Sequence, residues 1–140
     1  MIYYFLVIED WEWKIVEGLD TAKEKFYFVK EKTTFNVARS ACVKKGGKLF
    51  EPRNIETTLD LVNFASFNGF GGFWLGIHDS KSQNGTYVYD SDHTPIEWSN
   101  WRNGEPKHIK RRENCAVMET NGEWVDLPCD RSMHSQNGHI

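Results

Sequence analysis

The stretch NCAVMETNGEWVDLPC, residues 114–129, decides the fold. Two runs rich in apolar residues flank Asn121–Gly122, a pair suited to tight turns, so the segment reads as a β-hairpin with those two residues at the turn. Cys115 and Cys129 fall close together across it, while Cys42 stands far upstream in a helical pattern. One short bridge plus one orphan thiol is the simplest assignment for 3 cysteines, and it favours an oxidising compartment. Asn84-Gly85-Thr86 is a glycosylation acceptor triplet and points the same way, with small weight because such triplets are common.

Immediately upstream, residues 101–115 read WRNGEPKHIKRRENC. Glu105 and Glu113 bracket Lys107, Lys110, Arg111 and Arg112 instead of alternating with them. Three readings follow: a solvated loop, a cation site bounded by carboxylates, or a basic rim for an anionic ligand. For the KHIKRR run, a solvated loop balancing adjacent acids is the plainer one.

Working back towards the N-terminus, KFYFV at Lys25–Val29 reads as a strand. TTFNVARSACVKKGG carries Phe35, Ala38 and Cys42 at helical spacing, with Thr33 or Thr34 as cap and Gly46 as terminator. KLFEPRN is a short strand and turn. A second amphipathic helix runs from Ile55 to Asn68, capped by Asn54, with Leu59, Val62 and Phe64 or Ala65 on its apolar face. GGFWLGI reads as a buried strand around Trp74 and Ile77. From Asp79 to Glu113 the chain is mostly loops and hairpins dense in Asn, Gly, Asp and Ser. Helices early and a long loop-rich excursion late define an α+β domain with function in the excursion.

At 140 residues the chain is one domain around one core. The formal net charge of -3 excludes a globally basic nucleic-acid binder. No apolar run reaches the roughly 20 residues of a membrane span. The apolar MIYYFLVI at Met1–Ile8 reads as an edge strand or a truncated leader. No nucleophile–base pair or phosphate loop is present, so no enzymatic activity is expected. Cys129, His134 and His139 do not make a zinc site if Cys129 is bridged and the tail is disordered.

With these elements in order, the sequence resembles the C-type lectin-like domain in its short form. The landmarks are FYFV, ARSACVKKGGKL, FWLGIHD, IEWSNWRNGEP, ENCAVM and GEWVDLPC. They divide the chain into an N-terminal strand or leader-like segment (1–24), the lectin-like domain (25–131) and an atypical tail (132–140). The resemblance implies a small sheet flanked by two helices, a Cys115–Cys129 bridge, a cis Glu105–Pro106 peptide and a binding surface on the long loop. It also implies a secreted, extracellular lectin of the kind used in innate immunity.

Sugar-binding relatives hold one calcium here through an E-P-N triplet, a glutamate before the third-strand cysteine and a W-N-D motif. Carried over, the ligands are Glu105, Glu113 and Asp126, with Lys107 at the ligand surface. Calcium takes about 6–8 oxygen ligands, and vicinal sugar hydroxyls can complete its shell. Lys107 stands where asparagine is usual, and so does Val125, so two neutral oxygen donors are missing. A second, auxiliary calcium site of some relatives would use Asp79 and share Glu113, but His108 and Asn114 replace its other acids. The family's closing cysteine is also missing, which leaves Cys42 unpaired. Trp98, Trp101 and Trp124 are expected to pack the loop core rather than stack on a sugar.

The resulting expectation is a lectin binding glycans, mannose-type or anionic, around calcium. Its alternative is a calcium-independent module in which the Lys107 ammonium replaces the metal and the basic loop binds a protein or an anionic glycan.

Overall fold

The computed structural model describes residues 2–7, 14–16, 25–30, 33–67, 72–79, 85–108 and 112–131, with backbone alone at 2–7, 14–16, 25–30 and 64–67. Asn84, Lys110, Arg111 and the segment 132–140 with its two histidines therefore lie outside the described residues.

Strands β1 (Ile2–Val7), β2 (Lys14–Val16) and β3 (Lys25–Lys30) precede helix α1 (Phe35–Lys44) and strand β4 (Lys48–Leu49). Helix α2 (Ile55–Phe67) leads to β5 (Phe73–His78) and β6 (Val88–Tyr89), and β7 (Asn114–Met118) and β8 (Trp124–Pro128) close the order. The sheet runs β2-β3-β1-β5-β7-β8, with β4 added to β1 and β6 to β5. Met1–Ile8, expected as an edge strand or leader, thus supplies a strand paired on both sides, parallel to β3 and antiparallel to β5 at Val7 and Phe73.

Local chemistry sets the helix ends. Thr34 caps α1 by accepting the Val37 amide at 3.4 Å. At the other end Gly46 takes φ 86°, and Gly47 N–H returns to Cys42 O at 3.0 Å, the double closure that a left-handed glycine permits. Asn54 caps α2 by accepting Thr57 N–H at 2.9 Å. The apolar face of α2 differs from expectation. Leu61 and Thr58 are buried, whereas Leu59 is half exposed. Val62 is half-buried as expected, the side chains of Phe64 and Ala65 lie outside the described residues, and Thr58 satisfies its own hydroxyl on Asn54 O at 3.0 Å, which lets a polar side chain face the interior.

Strand alternation splits the interior in two. Phe73, Leu75, Ile77, Ala116, Met118 and Trp124 face one side, where Leu61, Tyr87 and Tyr89 pack on them. Trp74, Cys115, Val117 and Val125 face the other, under Phe35, Ala38 and Cys42 of α1. Period-2 alternation along β8 then assigns Asp126 to the Trp124 side, beneath the long loop. The hairpin turn is longer than an isolated Asn–Gly pair: Gly122 N–H donates to Glu119 O at 2.9 Å and Gly122 takes φ 90°. A Cβ there would come within 3.0 Å of Val62 Cγ2, so this turn packs directly on α2. Cys115 and Cys129 are bridged, and Cys42 is buried outside any disulfide.

Candidate functional site

The chain from Asn100 to Glu105 is laid along the edge of β8. Trp124 N–H donates to Asn100 O at 2.9 Å, Arg102 N–H to Trp124 O at 2.9 Å, and Glu105 N–H to Arg102 O at 2.8 Å. Trp98 and Trp101 stand edge-on to the buried Trp124, at 5.6 and 5.3 Å, and Tyr87 meets Trp101 at 4.9 Å. These rings form the floor of the loop, as expected of the tryptophans. Above the floor the Glu105–Pro106 peptide is cis, and the Glu105 carboxylate accepts Asp126 N–H at 3.0 Å.

Asp126 is the centre of the arrangement. Its Oδ1 accepts Lys107 N–H at 3.0 Å, and its Oδ2 accepts His108 N–H at 2.6 Å and the Tyr87 hydroxyl at 3.1 Å. Burial alone would raise this carboxyl. The hydrogen bonds it accepts from the His108 and Lys107 amides and the Tyr87 hydroxyl oppose burial, and the carboxyl is held below the usual carboxylate range. Burial, followed by the charges of Asp126 and Asp79, pushes the Tyr87 hydroxyl well above the ordinary tyrosine value, so it donates and does not ionise. Tyr87 was not foreseen as a site residue. Its only signal in the sequence is the aromatic alternation of TYVY.

Lys107 completes the group. Its ammonium lies 2.5 Å from Glu105 Oε2 and 3.7 Å from Asp126 Oδ1. Its side chain remains 53% exposed, against 5% for Glu105 and 2% for Asp126, so a half-exposed cation sits over two buried anions. Glu113 is not joined to them. It is exposed, just ahead of β7, and its carboxylate makes no hydrogen bond or ion pair among the described residues. Its backbone carbonyl accepts Cys129 N–H at 3.2 Å.

A second acidic group lies beside the first. Asp79 is buried and accepts Asn114 N–H at 2.8 Å and Asn114 Nδ2 at 3.2 Å, while His108 Nδ1 stands 3.0 Å from Asp79 Oδ2. His108 therefore links both acids, with its amide on Asp126 and its ring on Asp79. It holds φ 47°, uncommon for a residue with a side chain, and a Cβ on Gly85 would lie only 3.2 Å from its ring. The residues that replace acids at the auxiliary position thus bind the remaining one directly.

The fit to calcium is partial. Glu105 and Asp126 stand side by side and suit a cation, but their oxygens already serve an ammonium, three N–H donors and a hydroxyl. Val125 is a buried core residue with no oxygen to add beyond its backbone. A shell of about 6–8 oxygens would need Glu113 and solvent or ligand hydroxyls to join the pair.

A helix-flanked sheet carrying a long loop over a cis-proline carboxylate defines a lectin-type domain, and sequence comparison agrees. The family model for the lectin C-type domain matches residues 31–135, and the chain belongs to that family. Among curated relatives, Collectin-10 of Gallus gallus is 32% identical over 122 residues, covering 86% of this chain and 43% of its own length. A mannose-binding protein of Gallus gallus is 39% identical over 97 residues, covering 67% of this chain and 35% of its own. The chain thus spans less than half the length of these relatives. The mouse scavenger receptor C-type lectin carbohydrate-recognition domain shares the fold, with a TM-score of 0.74, 24% identity and coverage of 84% and 88% of the two chains.

Proposed function

We propose that this domain binds glycans through the surface of its long loop, with the Lys107 ammonium as the cation at the centre of that surface. One observation carries the reading: Lys107 Nζ is seated on Glu105 at 2.5 Å, where a metal ion would have to bind. An ammonium offers three donors, and the carboxylates beneath it are acceptors, which together suit the hydroxyls and acidic groups of a sugar. With Arg112 exposed nearby, and Lys110 and Arg111 in the same run, the surface favours anionic glycans over neutral mannose-type ones. Membership of the lectin family and similarity to a protein named for mannose binding support carbohydrate as the ligand class. A binding role rather than catalysis suits a group whose carboxylates are occupied by fixed donors. The Cys115–Cys129 bridge supports a secreted, extracellular setting.

A second reading places calcium on the same two carboxylates, with Glu113 swinging in. Its support is that backbone contacts position Glu105 and Asp126 without help from the Lys107 side chain, which is exposed enough to leave.

Binding to immobilised sulfated glycans and to mannan, each measured with millimolar calcium or with chelator, separates the two. Binding to the sulfated matrix that persists in chelator, weakens steeply with salt and is lost in Lys107→Met is the expected result. Binding that needs calcium and survives Lys107→Met would establish the metal-centred reading instead. Failure of both matrices, with capture of a protein ligand, would overturn glycan recognition altogether.

A further inference from the structure

His78, Asp90 and His93 each offer one ligand atom, and all three atoms lie within 4.8 Å of one another. Backbone order brings them together. His78 ends β5 opposite Val88, and β6 continues into a turn where Asp90 N–H donates to Gly76 O at 2.9 Å. The turn is closed twice, by Tyr89 N–H on Thr94 O at 2.9 Å and His93 N–H on Tyr89 O at 2.8 Å. It is also anchored to the buried Glu51, which accepts Ser91 N–H and the Ser91 hydroxyl, both at 2.9 Å. His93 sits at φ 59°, a conformation that puts its ring edge-on to His78 at 5.8 Å. Phe35 packs on the same buried imidazole at 5.7 Å.

We propose that His78, Asp90 and His93 form a site for a divalent transition ion of the zinc class. The donor set is two imidazoles and one carboxylate, which suits zinc and its neighbours and not calcium, whose ligands are oxygens. Tetrahedral zinc bonds nitrogen at about 2.0–2.1 Å, which sets its ligand atoms roughly 3.3 Å apart. His78 Nε2 and Asp90 Oδ1, now 2.8 Å apart, separate by about half an ångström to admit the ion, and the exposed His93 closes by side-chain rotation. Arg39 holds the carboxylate in place through Nε on Oδ2 at 2.9 Å, a contact the ion leaves intact. Its second contact, Nη2 on Oδ1 at 2.7 Å, is the one the ion competes with. Three protein ligands leave a fourth position for water or a ligand group. Occupancy adds a side-chain tie to the backbone bonds that already join this turn to β5, one residue from Asp79.

The test is titration of the metal-stripped full chain with zinc alone, followed by calorimetry and thermal unfolding, and with cobalt for the visible absorption of a tetrahedral site. One equivalent of zinc bound, a raised unfolding midpoint, and at least a tenfold loss of affinity in His93→Asn are expected. Asparagine tolerates the positive φ, so the variant's midpoint in chelator should match the parent and exclude misfolding as the cause. Absence of zinc binding, or binding unchanged by His93→Asn, would overturn the proposal. Loss in His108→Asn alone would place the metal at the Asp79 pair and overturn it equally.

Discussion

Replacing Asp126 by asparagine tests the centre of the site most directly. All groups facing the two carboxylate oxygens are donors: Lys107 N–H at 3.0 Å and Lys107 Nζ at 3.7 Å on Oδ1, His108 N–H at 2.6 Å and the Tyr87 hydroxyl at 3.1 Å on Oδ2. An asparagine has one acceptor oxygen, so one side must meet its amide hydrogens. Keeping the oxygen towards Lys107 lets the Tyr87 hydroxyl turn round and accept, but the His108 amide is left opposed to a donor. Losing one charge-assisted hydrogen bond costs about 1.5–3 kcal/mol, and the charge lost from the others brings the total to about 3 kcal/mol. A chain of 140 residues unfolds with an entropy of roughly 0.3 kcal/mol per degree, so the midpoint should fall by about 10 °C. Differential scanning calorimetry at neutral pH measures this, with Lys107→Met as comparison. That variant removes a half-exposed ion pair worth about 1 kcal/mol or less, and should shift the midpoint by about 3 °C or less. A near-zero shift for Asp126→Asn, or a shift equal to that of Lys107→Met, would refute the claim that backbone amides rather than the ammonium hold the loop.

Acid sensitivity follows from two carboxyls. Burial would raise Asp90, yet its hydrogen bonds with His78 and Arg39 and their charges hold it below the usual range, as the contacts of Asp126 do. Both therefore lend stability that is complete above the unfolded value of about 3.9 and drains away as pH falls through their lower folded values. Midpoints recorded between pH 5 and 2 (about the span in question) should fall in the wild type and fall less steeply in Asp126→Asn. Cys42 provides a chemical check. Burial raises its thiol to about 12, with Lys45 pulling only weakly the other way, so it should resist a thiol reagent in the native protein and react once denaturant is added. Prompt native labelling would show that α1 does not cover it.

Much of this architecture was legible in the sequence because its signals are local. Phe35, Ala38 and Cys42 are one helical turn apart and all three are buried, and Thr34, Asn54 and Gly46 punctuate the helices through bonds to residues within a few positions. The cis Glu105–Pro106 peptide and the Cys115–Cys129 bridge were implied by family resemblance and are present. What the sequence hid depends on long-range partners. In α2 the buried Thr58, whose hydroxyl is satisfied four residues back, was missed, because hydropathy alone scores threonine as a surface residue. Tyr87 reaches Asp126 across 39 positions, and His78, Asp90 and His93 meet only because β6 folds back on β5. Glu113 was grouped with Glu105 and Asp126 by motif; its exposed carboxylate shares no hydrogen bond or ion pair with theirs among the described residues.

The Cys115–Cys129 bond has a mechanical consequence. It joins residues 14 positions apart and so encloses nearly all of β7, the turn and the whole of β8 in a covalent ring. Tension applied through the chain on either side passes across the sulfur–sulfur link and leaves about 50 Å of contour length unextended. Asp126 and Tyr87 respond differently to such a load: the first is inside the ring and keeps its register, while the second, with Glu105, Lys107 and His108, is outside and is carried away with the loop. A pull would therefore open the site along one seam, between a shielded strand and an unshielded loop, before the hairpin beneath yields.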